Sequence, residues 1–69
     1  MGNPGDIVSV GEGVSELRIH FGPGYRVYIA YDRRTLVILL GGGTKRTQRR
    51  DIAAAKAAWA DYKARKARP

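Results

Sequence analysis

No cysteine occurs among the 69 residues, which excludes disulfides and thiolate metal sites and suits a reducing cytoplasm. Histidine is nearly absent too: His20 stands alone beside six scattered carboxylates, so no metal constellation can be read and no metal is expected. No apolar run approaches the roughly 20 residues of a membrane span. The start, Met1-Gly2-Asn3-Pro4-Gly5-Asp6, lacks the basic and apolar regions of a signal peptide. Together these absences describe a soluble, cytoplasmic chain with no membrane partner. Glycine is plentiful, yet its motifs are incomplete. Gly41-Gly42-Gly43-Thr44-Lys45 lacks the spacing of a nucleotide P-loop, and Gly11-Glu12-Gly13 does not extend to a dinucleotide fingerprint. These glycines read as turns, and no cofactor is expected.

What is present is a period of two. Leu17, Ile19 and Phe21 alternate with Glu16, Arg18 and His20, as successive side chains of a strand do when they point to opposite faces. Gly22, Pro23 and Gly24 favour a reversal, after which Tyr25, Val27, Ile29 and Tyr31 alternate with Arg26, Tyr28, Ala30 and Asp32. Paired as a hairpin with both apolar sets inward, the two runs would place Arg18, His20, Arg26 and Tyr28 together on the outer face. Leu36 to Leu40 is apolar at every position, the pattern of a central strand covered on both sides. Asp32, Arg33 and Arg34 form the turn into it.

The C-terminal stretch reads as a helix. It is alanine-rich, free of glycine and proline, and stopped before Pro69. Ile52, Ala55, Trp59 and Tyr62 form one apolar stripe that can lie on the sheet, with Trp59 as its anchor. The predicted fold is therefore α+β, a single domain over residues 1–69. Its twisted antiparallel sheet has three or four strands (about 6–9, 14–21, 25–31 and 35–40), and a helix over about 47–67 packs on it. A domain of this size draws only about 3 to 5 kcal/mol from one hydrophobic core unless something else holds it.

Charge divides the chain. Residues 1–32 sum to −2 and residues 33–69 to +9, giving the net +7. A basic half of this kind attracts nucleic acid and supplies phosphate affinity that salt weakens. Lys63, Arg65 and Lys66 in the last helical turn suit the negative end of the helix dipole, so a structural role explains them. Lys45, Arg46, Arg49 and Arg50 crowd the opposite end, where positive side chains are mildly unfavourable. Either an anion binds there and offsets that cost, or the segment is a solvated basic loop.

One string is family-specific. Gly2-Asn3-Pro4-Gly5-Asp6, Gly11-Glu12-Gly13-Val14-Ser15-Glu16-Leu17-Arg18-Ile19, Gly22-Pro23-Gly24-Tyr25-Arg26-Val27-Tyr28, Leu39-Leu40-Gly41-Gly42, Lys45 and Arg50-Asp51-Ile52-Ala53 run through nearly the whole chain. The string resembles the killer proteins of addiction modules: RelE/HigB-like toxins of type II toxin–antitoxin modules, and the related phage Gp49-like proteins. The resemblance implies a RelE-like sheet with helices packed on it, and cleavage of messenger RNA, in better-studied relatives at the ribosomal A site. It also implies neutralisation by a cognate antitoxin. Metal-independent RNA cleavage drives the ribose 2′-OH against the adjacent phosphate. The site must then take one proton, stabilise charge on the phosphoryl oxygens and protonate the 5′-oxygen.

On this resemblance Arg26 would hold the transition-state phosphate, because arginine binds phosphate bidentately but, always charged, is a poor base. Arg18 would stand beside it. Lys45 and Arg46 would bind the scissile or neighbouring phosphate, with Arg49 and Arg50 as further substrate contacts. His20 is the side chain here whose unperturbed pKa lies near neutrality, which makes it the candidate proton carrier; its ordinary alternative is an exposed surface histidine. Tyr28 either stacks on a base or packs, and packing is the commoner outcome.

Two departures accompany the resemblance. Members of the family usually begin with a strand and two helices ahead of the Gly-Asn-x-Gly-Asp segment, with which this sequence opens. The sheet is then expected to expose apolar surface unless a partner, a second copy or a rearranged helix covers it. Several relatives also carry a tyrosine near the C-terminal catalytic segment, whereas Tyr62 is the first tyrosine after Lys45. The alternative to a ribonuclease is therefore a non-catalytic remnant, a module that binds RNA or antitoxin. A DNA-binding role is disfavoured by the lack of a helix-turn-helix pattern.

Overall fold

The computed structural model describes residues 6–22 and 24–68. Four strands, β1 (Ile7–Gly11), β2 (Val14–Ile19), β3 (Tyr25–Asp32) and β4 (Thr35–Gly43), lead through a short 3-10 helix (Lys45–Thr47) into α1 (Gln48–Ala67). The strands lie in sequence order in one antiparallel sheet, and α1 packs on one of its faces: an α+β fold. The helix described is not long and apolar enough to cross a membrane.

Each element follows from local chemistry. Gly11, Glu12 and Gly13, all with positive φ, turn β1 into β2. Gly13 needs that freedom twice over, because a Cβ there would also lie 3.0 Å from the Trp59 indole nitrogen. The β2–β3 reversal is closed by the Gly24 amide donating to the Phe21 carbonyl at 3.2 Å. Pro23 and the Met1–Gly5 part of the opening segment lie outside the described residues. β2 ends at Ile19, two residues short of the predicted run, and β4 continues to Gly43. Gly41, Gly42 and Gly43 are thus strand residues and not a turn. They sit where the β3–β4 register shifts, two β4 residues lying between pairs that a single β3 residue separates.

The structure reverses the expected faces. Cross-strand partners share a face, and the registers Arg18↔Arg26 and Glu16↔Tyr28 put the polar set together as anticipated. That set, however, is on the helix side. Val14, Tyr28 and Ala30 form the core with Ala55 and Trp59, and Val10, Val37, Leu39, Leu40, Ile52 and Tyr62 pack around it. The physical reason lies in the far ends of the strands: Val14, Ala30 and the β4 partners Val37 and Leu40 share the face of the polar set. They supply an apolar seat for an alanine-rich helix.

The alternating apolar set consequently takes the face opposite the helix, where Ile29 is still buried and Leu17 and Val27 are half-buried. Ile7, Ile19, Tyr25, Tyr31, Leu36 and Ile38 are exposed. β4 is an edge strand in which Leu36 and Ile38 are 49% and 67% exposed, which corrects the expectation of a central strand covered on both sides. A wholly apolar run does not fix strand position, because its composition cannot say which face finds a cover.

Candidate functional site

Where the core ends, the covered face becomes polar. β2 and β3 set Arg18 and Arg26 directly opposite each other, and the chain returns from β4 to bring Lys45 beside them. Arg18, His20, Arg26 and Lys45, with Ile19, Gly24 and Tyr25, line a shallow pocket of about 150 Å3. Four of the seven residues expected to act on substrate therefore meet at one place. Three cationic side chains around a small open pocket have the charge to attract a phosphate group.

Two of the pocket arginines rest on Glu16, which is 1% exposed. Its Oε1 accepts from Arg18 Nε at 2.9 Å and stands 3.4 Å from Arg26 Nε. Its Oε2 accepts from Gln48 Nε2 at 2.8 Å and from the Tyr28 hydroxyl at 3.4 Å. Burial pushes the Glu16 carboxyl up, but the hydrogen bonds from Arg18 and Gln48 and the charges of Arg26 and Arg18 outweigh it, leaving the net value below the ordinary one. The same burial, then the Glu16 and Asp51 charges, push the Tyr28 hydroxyl up. Tyr28 is fully buried and packs, so it is not available to stack on a base. Arg26 is the less exposed arginine, at 14% of its side chain against 43% for Arg18. Its buried Nε has the ion pair with Glu16 but no hydrogen bond among the described residues.

His20 is 72% exposed at the pocket rim, and its Nε2 lies 2.9 Å from Asp6 Oδ1. An ionised carboxylate only accepts, so Nε2 donates in this contact. The remaining cations are elsewhere. Arg46, Arg49 and Arg50 are exposed on and before the first turn of α1 and do not line the pocket. Arg50 borders a separate polar hollow of about 290 Å3 with Gly41, Gly42, Gly43, Thr44, Thr47 and Asp51. The helix start, crowded with positive charge, has its own counter-charge: buried Asp51 accepts from the Thr47 hydroxyl in the first turn. No group of three His, Cys, Asp or Glu residues able to hold a metal occurs among the described residues.

Three site residues escaped sequence reasoning. Glu16 had a usable signal, since residues two apart on a strand share a face and Glu16 precedes Arg18 by two. Asp6 and Gln48 had none, because both reach the site across more than ten residues of intervening chain.

The candidate site is thus a pair of arginines seated on a buried carboxylate in a four-stranded α+β domain. The family description "Phage derived protein Gp49-like (DUF891)" matches residues 3–63, and the chain belongs to that family. An "Uncharacterized protein" of Haemophilus influenzae is 58% identical over 55 residues, a segment that takes in 80% of this chain and 56% of the relative. The chain thus spans about half the length of the relative it matches. No solved structure matches it.

Proposed function

We propose that this chain is the toxin component of a type II toxin–antitoxin module, of RelE/HigB type, and that it cleaves messenger RNA as a metal-independent, ribosome-dependent endoribonuclease in the cytoplasm. Membership of the Gp49-like family supports a toxin-type protein. The observation that carries the chemistry is the pocket shared by Arg18, Arg26, Lys45 and His20. In this reading Arg26 and Arg18 hold the phosphoryl oxygens as charge develops, and Lys45 neutralises the same or the adjoining phosphate. His20 carries the proton while Asp6 orients its ring through Nε2. Arg46, Arg49 and Arg50 contact phosphates further along the strand, where they add affinity without touching the reacting atoms.

The partners follow from the surface. A chain of net charge +7 is matched by an acidic segment of an antitoxin. The outward sheet face, with Ile7, Ile19, Tyr25, Leu36 and Ile38 exposed together, receives a second copy.

The decisive experiment is induction of the chain in bacteria beside Arg26→Ala and His20→Ala, with purified protein assayed on RNA and on translating ribosomes. The expected result is growth arrest and cleaved message from the wild type, and neither from Arg26→Ala. His20→Ala is expected to keep RNA affinity while cleaving more slowly than the wild type. Salt-sensitive binding of RNA that stays intact on free protein and on ribosomes alike would identify a binding module instead.

A further inference from the structure

We propose that Glu16 is a positioning residue for the phosphate pocket, an inference that rests on the ribonuclease reading. A carboxylate in contact with two arginines of a phosphate site works against affinity. It cancels one of the positive charges that draw the anion, and it repels the phosphate itself. Burying it to 1% exposure adds a desolvation cost. A site selected for RNA affinity alone would carry an uncharged residue there.

The geometry gives the carboxylate a different task. Arg18 and Arg26 oppose each other in register, and like charges directly across a sheet repel and splay apart. Glu16 Oε1 faces the Nε of both, at 2.9 and 3.4 Å, and so draws the two guanidinium planes to one anchor. With Arg18 Nε hydrogen-bonded and Arg26 Nε ion-paired to that oxygen, the terminal nitrogens are left to serve the pocket that both side chains line. The anchor is itself held: Gln48, at the first position of α1, donates to Oε2 at 2.8 Å and ties the helix start to the arginine pair. The lowered Glu16 pKa is consistent with a carboxylate that stays charged throughout. The resulting fork is fixed before substrate arrives, and a fixed fork helps the transition state more than it helps binding.

Opposite signs on binding and on turnover test this. Glu16→Gln keeps the shape and removes the charge. Its affinity is measured with 2′-O-methyl RNA, which cannot be cleaved, and its turnover with all-ribose RNA on ribosomes, with circular dichroism and a melting curve as checks on folding. RNA affinity is expected to hold or rise while the cleavage rate falls at least about tenfold. A second variant, Gln48→Ala, leaves Glu16 in place and loosens it. It is expected to slow cleavage several-fold at unchanged affinity, and it serves if Glu16→Gln does not fold. Parallel loss of affinity and cleavage in the folded variants would mean a merely structural role, and cleavage unchanged or raised would mean a simple electrostatic burden; either overturns the inference. A wild type that cleaves no RNA overturns the ribonuclease reading along with it, whereas a cleaving wild type with either of those results removes the positioning role alone.

Discussion

Arg18 and Arg26 stand directly opposite each other on β2 and β3, and the Nε atoms of both turn to one oxygen of Glu16. Two arginines and one carboxylate leave a single net positive charge. Lys45, on the same pocket, supplies the second.

Removal of Arg26 should separate function from folding. In Arg26→Ala the Glu16 carboxylate keeps its hydrogen bonds from Arg18 and Gln48, so no buried charge is stranded. The variant is expected to melt within a few degrees of wild type and to lose cleavage. The slope of log affinity against log salt should shrink by about one for Arg18→Ala or Arg26→Ala, the loss of one phosphate contact. Binding at several salt concentrations measures it.

Stability should fall at both ends of the pH range. Glu16 and Asp32 sit below their ordinary values of 4.5 and 3.8, Asp32 first through its hydrogen bonds from Lys66 and Tyr62. The folded chain binds fewer protons on them than the unfolded chain. Their contribution is therefore full above the ordinary values and is lost as pH falls through the lowered ones. Tyr28, pushed up first by burial, and Tyr62, pushed up first by its bond to Asp32, lie above their ordinary 10.0. Their contribution is full below that value and is lost as pH rises through the raised ones. Thermal melts should be level between about pH 5 and 9 and drop on either side. The acid drop should be shallower in Glu16→Gln.

Two neighbouring glycines should behave differently. A Cβ on Gly43 would collide with the Asp51 carboxylate, which is held by the Thr47 hydroxyl, whereas one on Gly41 meets nothing within 4 Å. Gly43→Ala is expected to cost about 1 to 3 kcal/mol, as overpacking does, and Gly41→Ala less than about 0.5 kcal/mol. Denaturant melts of the two variants decide it.

Charge on the open sheet face should change assembly and not folding. Ile38 is 67% exposed, so Ile38→Lys loses little buried area. The melting temperature at low protein concentration should stay within a few degrees of wild type. Sedimentation should show the wild type associating through this face and Ile38→Lys remaining monomeric. A wild type that is monomeric throughout would remove the second copy as the occupant.

How far the sequence could be read depends on the distance over which each signal acts. Alternation in β2 and β3, the reversal between them and the alanine-rich helix are local, and all three appear at or near their expected positions. The α1 stripe was legible as well: Ala55 and Trp59 are buried and Ile52 and Tyr62 pack beside them, because spacing along one helix determines its face. The basic residues of the pocket could be nominated from the family's own pattern, since Arg18, Arg26 and Lys45 are part of it. Composition and period thus determined the elements and the charge division by short-range rules, and the resemblance supplied the candidate cations.

Tertiary structure decided what alternation leaves undetermined. A period of two says that two faces differ but not which one the helix takes. Here the seat built by Val14, Tyr28 and Ala30 outweighed the longer apolar row of Leu17, Ile19, Val27 and Ile29. That choice placed Glu16 under the helix, 32 residues in sequence from Gln48. It turned two repelling arginines into a paired fork and set Asp6 beside His20. Such contacts join distant parts of the chain. They depend on which surfaces bury best together, and no local pattern encodes that.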